Sequence, residues 1–398
     1  MIGKAVRFAR YLLRRALFPV FERIVPADDN LWCFCTWDRH WHTLDSPRAV
    51  LEALSGDPSV RSVVLQKVRS TSGEDRDTPR VKFVEAESLR GAWYLARARV
   101  VLIAYGMKGL SSYATGLTRK HIVIQLWHGI PLRRIGRLFP RETWWAAETP
   151  KYSAMVASSE KERDHLSQAF EPVPRDEIWL TGLPRNDFFL GAEQALPTDY
   201  RAHLDGLRKQ LGGRRLVLYA PTWRDREEDH YQFSPEESSR LSALLRRHNA
   251  VIGVRGHSNV RHLSRYTADS AVAEIITMNH IPDVNVIMRE TAVLVTDYSS
   301  IYLDFVLTGR PILHFTYDFD TYLKNRVGFF YELDEAFAGP RLLTFDQLLE
   351  HLDRALGGGV EDAQQYRHVR DLFHAHPAGS GPAVAGRIRD LVQRKNGG

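Results

Sequence analysis

The chemistry-bearing residues of this chain stand where apolar runs end. "AVLVTDYSS" closes on Asp297, Ser299 and Ser300, and "LVLYAPTWRD" closes on Thr222, Arg224 and Asp225. "AVIGVRGH" ends in Arg255 and His257, "HIVIQLWHGIPLRR" in His128, Arg133 and Arg134, and "EIWLTGLPRND" in Arg185, Asn186 and Asp187. Each run reads as a buried strand, and open α/β sheets bind ligands just past the carboxyl ends of their strands. Acids, hydroxyls, arginines and histidines gathered there form a constellation for phosphate chemistry.

Two of these stretches invite specific roles. In "TDYSS" the hydroxyls precede Ile301, Phe305 and Val306, which recur at helical spacing. Exposed amides and the dipole of a first helical turn favour a phosphate there, whereas plain capping by Asp297 or Ser299 is the structural alternative. Asp304, farther along the same helix, is placed to face a ribose. His128 is flanked by Gly129, which permits close backbone approach, and Pro131 suits a first helical turn. A neutral imidazole can take a proton from an attacking hydroxyl, since its unperturbed pKa is near neutrality; a buried histidine satisfied by one hydrogen bond is the alternative. Arg255 and His257 share a face if the strand continues, and such a pair can grip a diphosphate; an ordinary exposed pair is the other reading.

Regular elements must hold these residues. "LWCFCTW", "SVVLQKV", "RVVLIAY", "HIVIQLWH", "AMVASS" and "EIWLTG" read as strands, separated by helix-like "SPRAVLEALSG" and "LRGAWYLARA". A polar stretch ending in Gly212 and Gly213 follows, and the rhythm restarts with "LVLYAPTW", "AVIGVRGH", "EIITM", "AVLVTDYSS" and "RPILHFTYD". The expected fold class is α/β, with two mostly parallel sheets covered by helices, joined near residues 200 to 213 and enclosing a central cleft. The expected divisions are a basic amphipathic helix over 1–26, a first α/β domain over 27–205, a second over 206–380, and a C-terminal helix over 381–398 that packs on either half.

With 398 residues, 44% hydrophobic and 26% charged, the chain has the composition of a globular protein of two or three domains. Its net charge of +6 suits an anionic partner without choosing one. In the N-terminal stretch, Lys4, Arg7, Arg10, Arg14 and Arg15 interrupt Val6, Leu12, Leu13, Leu17, Phe18 and Phe21 before any run reaches spanning or signal-peptide length. That pattern suits a helix lying on an anionic membrane surface, or one capping the first domain.

Other chemistries lose support. Cys33 and Cys35 make no disulfide framework and fit a reducing compartment. Cys33, Cys35, His40 and His42 match no familiar zinc spacing, and the Asp75/Asp77 and Asp318/Asp320 pairs are chance-level matches to a DxD pattern, so no metal and no cofactor are expected. No P-loop or GxSxG elbow is present, and no aromatic-interleaved basic face points to nucleic acid.

In order along the chain, "QLWHGIPLRRIG", "VASSEKERDHL", "TGLPRNDFF", "LYAPTWRD", "TDYSSIYLDF", "GRPILHFTYDFDTY" and "GFFYELDEAFAGP" closely resemble the CDP-glycerol glycerophosphotransferase family of teichoic acid and capsule synthesis. The resemblance implies a GT-B architecture of two Rossmann-like domains, and transfer of glycerol phosphate from CDP-glycerol to a hydroxyl of a lipid-linked or polymeric acceptor, with release of CMP. It implies His128 as general base and His257 with Arg255 at the pyrophosphate. Asp297, Ser299, Ser300, Asp304, Thr222 and Arg224 would bind the donor, and Arg133, Arg134, Arg185, Asn186 and Asp187 the acceptor or cleft. The basic helix would dock the enzyme on the cytoplasmic face of the membrane, where polyprenyl-linked acceptors sit. Two departures stand out: Ile130 and Arg133 where the family often has Thr and Lys, and Ser258 where a Pro is commoner. The same scaffold would serve a CDP-ribitol transferase or a nucleotide-sugar glycosyltransferase, and a non-catalytic anionic-polymer-binding module is the reading outside enzymes.

Overall fold

The computed structural model describes residues 13–14, 16–35, 45–67, 78–118, 120–139, 143–222, 231, 233–255, 275–278, 281–325, 328–359 and 362–396. The chain divides into two compact units. One comprises residues 1–128, 135–187 and 375–398, the other residues 129–134 and 188–374.

The first unit is built on β1 (Asp28–Cys35), β2 (Arg61–Gln66), β3 (Val81–Glu85), β4 (Ala98–Ile103), β5 (Ile122–Gln125), β6 (Tyr152–Ala157) and β7 (Ile178–Leu180). All its pairings are parallel, in the order β3-β2-β1-β4-β5-β6-β7. The continuous apolar strands follow from burial on both faces, since helices cover a parallel sheet on each side. Edge strand β3 escapes a sequence reading because Lys82 and Glu85 break its apolar run.

The final helix, Ser380–Asn396, belongs to this unit. Asp187 places it: its carboxylate accepts from the amides of Ser380 (3.0 Å) and Gly381 (2.7 Å), bonds that span about half the chain. Burial, opposed by those amides, holds the Asp187 carboxyl above its usual range. Nearby, Gly182 sits at φ +76°, and a Cβ there would run into the carbonyl oxygen of His376.

At the other end of the unit, residues 13–14 and 16–24 are helical. Phe18, Glu22 and Val25 are buried, and Phe18 packs on Tyr113 at 5.4 Å. Glu22 is a buried acid with built partners: His121 Nε2 lies 2.7 Å from its Oε1, and the Thr118 hydroxyl donates to it at 2.8 Å. Burial pushes its pKa up, but these bonds win and hold it below the usual carboxylate range. The opposite side leaves Leu13, Leu17, Val20 and Ile24 exposed, Ile24 by 77%.

The second unit is built on β8 (Arg215–Tyr219), β9 (Ala250–Val254), β10 (Ile275–Thr277), β11 (Thr291–Thr296), β12 (Ile312–Phe315) and β13 (Arg341–Leu342). Its order, β10-β9-β8-β11-β12-β13, is again all parallel and repeats the doubly wound pattern in which the chain returns beside its first strand. The continuous part of this unit starts at Phe188. The helix Thr198–Leu211 buries Tyr200, Leu204, Leu207 and Leu211 within it, Tyr200 donates to Asp283, and Arg289 donates to the carbonyls of Phe188, Phe189 and Gly191.

Candidate functional site

His128 lies three residues past β5, on a turn rather than a helix. Trp127 before it adopts φ +53°, a left-handed conformation costing roughly 1–2 kcal/mol for a residue with a Cβ, and Gly129 after it sits at φ +133°. This pair of unusual dihedrals turns the imidazole back toward the end of β4. Its Nδ1 lies 2.8 Å from the carbonyl oxygen of Ala104. A carbonyl only accepts, so Nδ1 carries the proton, and a neutral ring then has its lone pair on Nε2. The ring stacks on Tyr105 at 4.2 Å and on Trp127 at 4.8 Å. Arg185, nearly buried, donates to the His128 carbonyl at 2.5 Å and to Asp45 at 3.3 Å. Local backbone, ring and carbonyl are each tied down.

Asn186 beside it is buried, and neither polar atom of its side-chain amide has a hydrogen-bond partner among the described residues. Asp187 caps the last helix, as described above. Arg133 and Arg134 are exposed and belong to the second unit, where Arg133 bridges Phe329 and the Arg134 amide donates to the Gly328 carbonyl at 3.0 Å. Pro131 therefore starts no helix; the segment runs extended along residues 328–330.

In the second unit the chain reverses between β8 and β11, the topological switch point where doubly wound sheets bind nucleotides. Thr222 follows β8 and Asp297 follows β11, and the two are joined. Asp297 Oδ1 accepts from the Thr222 amide at 2.8 Å, the Thr222 hydroxyl at 2.5 Å and the Tyr298 amide at 2.6 Å. The buried carboxylate thus shapes two loops at the strand ends instead of capping the following helix. That helix, Ile301–Phe305, is short, and its N-cap Ser300 makes no side-chain capping bond. Ser299 and Ser300 are half-buried at this corner, and Asp304 is buried near His374, whose charge it influences. The Arg255 guanidinium donates to the carbonyls of Met278 (3.1 Å), Ile281 and Pro282 (2.8 Å). His257, Arg224 and Asp225 lie outside the described residues, as do His40, His42, Asp75 and Asp77. Among the described residues no group of three or more His, Cys, Asp or Glu is placed to hold a metal ion. Burial pushes both the Cys33 and Cys35 thiols up.

Two buried side chains behind these loops escaped the sequence reading. His314 on β12 touches the Asp297 carbonyl, and Gln125 ends β5 beneath His128. Each reads locally as a polar interruption of an apolar strand, and only the tertiary pairing reveals its contacts.

The family model for CDP-glycerol:poly(glycerophosphate) glycerophosphotransferase matches residues 17–392. The chain belongs to this family. Within it, a teichoic acid glycerol-phosphate transferase of Staphylococcus aureus is 29% identical over 63% of this chain and 65% of its own length. A teichoic acid ribitol-phosphate polymerase of the same organism is 27% identical over 61% of this chain, which spans 46% of that relative's length. A teichoic acid poly(glycerol phosphate) polymerase of Bacillus spizizenii is 24% identical over 89% of this chain and 91% of its own length. Among solved structures, the wall teichoic acid polymerase TagF superposes with a TM-score of 0.78 at 20% identity, covering 99% of this chain and 97% of that one. The fold is therefore the GT-B-like α/β class with two Rossmann-like units.

Proposed function

We propose that the protein transfers glycerol phosphate from CDP-glycerol to a hydroxyl of a lipid-linked or polymeric acceptor in teichoic acid-like or capsule polymer synthesis, releasing CMP. The observation that carries this reading is the tautomer-fixed His128 in a chain of this family. Its Nε2 takes the proton of the acceptor hydroxyl as that oxygen bonds to the phosphorus bearing glycerol. The bond from that phosphorus to the bridging oxygen breaks, and CMP departs with the electron pair. Such phosphoryl transfer calls for positioning and charge stabilisation more than covalent help. Thr222, Asp297, Ser299, Ser300 and Asp304 serve the donor at the switch point, joined by Arg224 and His257. Arg255 supports the donor side by holding the carbonyls of Met278, Ile281 and Pro282. Arg133, Arg134, Arg185 and Asn186 serve the acceptor or the base. Neither a metal nor a cofactor is required.

The exposed apolar residues of the N-terminal helix, with Leu89 and Trp93 of the helix Leu89–Arg97, support docking on the cytoplasmic face of an anionic membrane; Phe21 and Trp93 lie 6.2 Å apart. No described helix is long and apolar enough to cross a membrane.

Relatives with ribitol-phosphate names, at similar identity, support CDP-ribitol as the second donor reading. Incubating the purified protein with CDP-glycerol, CDP-ribitol or UDP-sugars, an acceptor lipid fraction and no added metal, and measuring nucleotide release, separates the readings. CMP from CDP-glycerol is the expected result; turnover of another donor in its place would overturn the substrate.

A further inference from the structure

Gln125 is fully buried at the end of β5, three residues before His128, and every polar atom of its side chain is engaged. Its Oε1 accepts from the Trp127 amide at 3.0 Å. Its Nε2 donates to the Tyr105 carbonyl at 3.3 Å and to the Tyr152 hydroxyl at 3.4 Å. The Tyr152 hydroxyl donates onward to Glu148 at 3.2 Å, and that carboxylate also accepts from the Met107 amide at 2.7 Å. Burial and the nearby carboxylate push the Tyr152 phenol up, which keeps it a neutral donor.

The two backbones Gln125 grips carry the two aromatic rings that sandwich the His128 imidazole. One of them, Trp127, holds a left-handed conformation that persists only when its surroundings enforce it. The other, Tyr105, directly follows Ala104, whose carbonyl receives the His128 Nδ1 proton. A single amide thus spans both sides of the slot.

We propose that Gln125 is the positioning residue of His128: by tying the Trp127 amide to the Tyr105 carbonyl it fixes the ring plane and the Nδ1–H tautomer. The proposal rests on the reading of His128 as general base. An apolar residue of similar size would leave the slot unclosed, letting the ring rotate and its proton exchange between nitrogens. Because the reacting geometry tolerates little displacement, such loosening is felt in turnover more than in donor binding.

The test compares Gln125→Leu, which removes acceptor and donors, with Gln125→Glu, which keeps an acceptor for the Trp127 amide. Nitrogen-15 spectra of histidine-labelled protein report the His128 tautomer without any reaction, the signal being assigned by its loss in His128→Asn. We expect one Nδ1–H tautomer in the wild type and averaged nitrogens in Gln125→Leu. Turnover in Gln125→Leu should fall roughly tenfold with KM for CDP-glycerol within about twofold, Gln125→Glu should lose less, and adding Gln125→Leu to His128→Asn should cost nothing further. An unchanged tautomer and kcat in Gln125→Leu, with His128→Asn inactive, would overturn the positioning role and leave the base. Activity surviving in His128→Asn would sink the base, while the tautomer spectra would still judge Gln125. Should Gln125→Leu fail to fold, Gln125→Glu decides: wild-type tautomer and turnover there, with the donors to Tyr105 and Tyr152 gone, overturn the proposal.

Discussion

His314 offers a measurable acid sensitivity. It is fully buried on β12, stacked on Phe337 at 3.9 Å and met edge-on by Tyr302 at 4.7 Å. Both ring nitrogens face carbonyl oxygens, Nε2 that of Ala338 at 3.0 Å and Nδ1 that of Asp297 at 3.3 Å. An imidazolium would serve both acceptors, but burial outweighs them and pushes the pKa down from 6.5 to about 4. The neutral ring donates through the shorter contact, to Ala338. A histidine whose folded pKa is depressed contributes its full stability above the unfolded pKa, and that contribution drains as pH falls from 6.5 toward about 4, because only the unfolded chain takes the proton. At about 1.4 kcal/mol per pH unit the whole difference is about 3 kcal/mol, of which about 2 kcal/mol is gone by about pH 5. Comparing wild type with His314→Phe in urea at about pH 7.5 and pH 5 isolates this residue, since His374 and His165, also pushed down by burial, are common to both. The stability gap between the two proteins should narrow by about 2 kcal/mol on acidification. A gap that stays constant or widens would place the charge on the folded-state ring and refute the reasoning.

Three further substitutions probe other parts of the account. Gly182→Ala forces a Cβ onto the His376 carbonyl at a positive φ and should cost about 2 kcal/mol or more in denaturant unfolding; a cost near zero would mean that the final helix is loosely docked. Thr222→Val removes the 2.5 Å hydroxyl bond to Asp297 and should weaken CDP-glycerol binding by calorimetry roughly tenfold, with far-UV circular dichroism unchanged; wild-type affinity would remove the clamp from the donor site. Ile24→Glu places a charge in the exposed apolar face and should lower co-sedimentation with anionic vesicles roughly tenfold without altering turnover of a water-soluble acceptor; equal sedimentation would show that this face does not meet lipid.

The local grammar of the chain carried the strands well. Val293, Leu294 and Val295 do lie in a buried strand, β11, and Ile301 does open a helix, because burial on both faces of a parallel sheet demands continuous apolar runs that propensity and pattern report together. Long-range pairing was illegible. Nothing around Asp187 says that its carboxylate meets amides near residue 380, and nothing around Arg255 says that its guanidinium turns to carbonyls some twenty-five residues on. The two-residue strand β13 is too short for any period, and β3 is an edge strand whose charges hide it. Gln125 and His314 were passed over for the opposite reason: a lone polar residue in a strand looks like noise until its partners, from distant loops, are seen.

The central claim is that His128 removes the acceptor proton. It is tested most directly by replacing His128 with Asn, which preserves shape and one donor but no base, and measuring CMP release alongside CDP-glycerol affinity by calorimetry. The account predicts loss of turnover by roughly a hundredfold or more with donor affinity within about twofold. Turnover near the wild-type rate in the folded variant would contradict it.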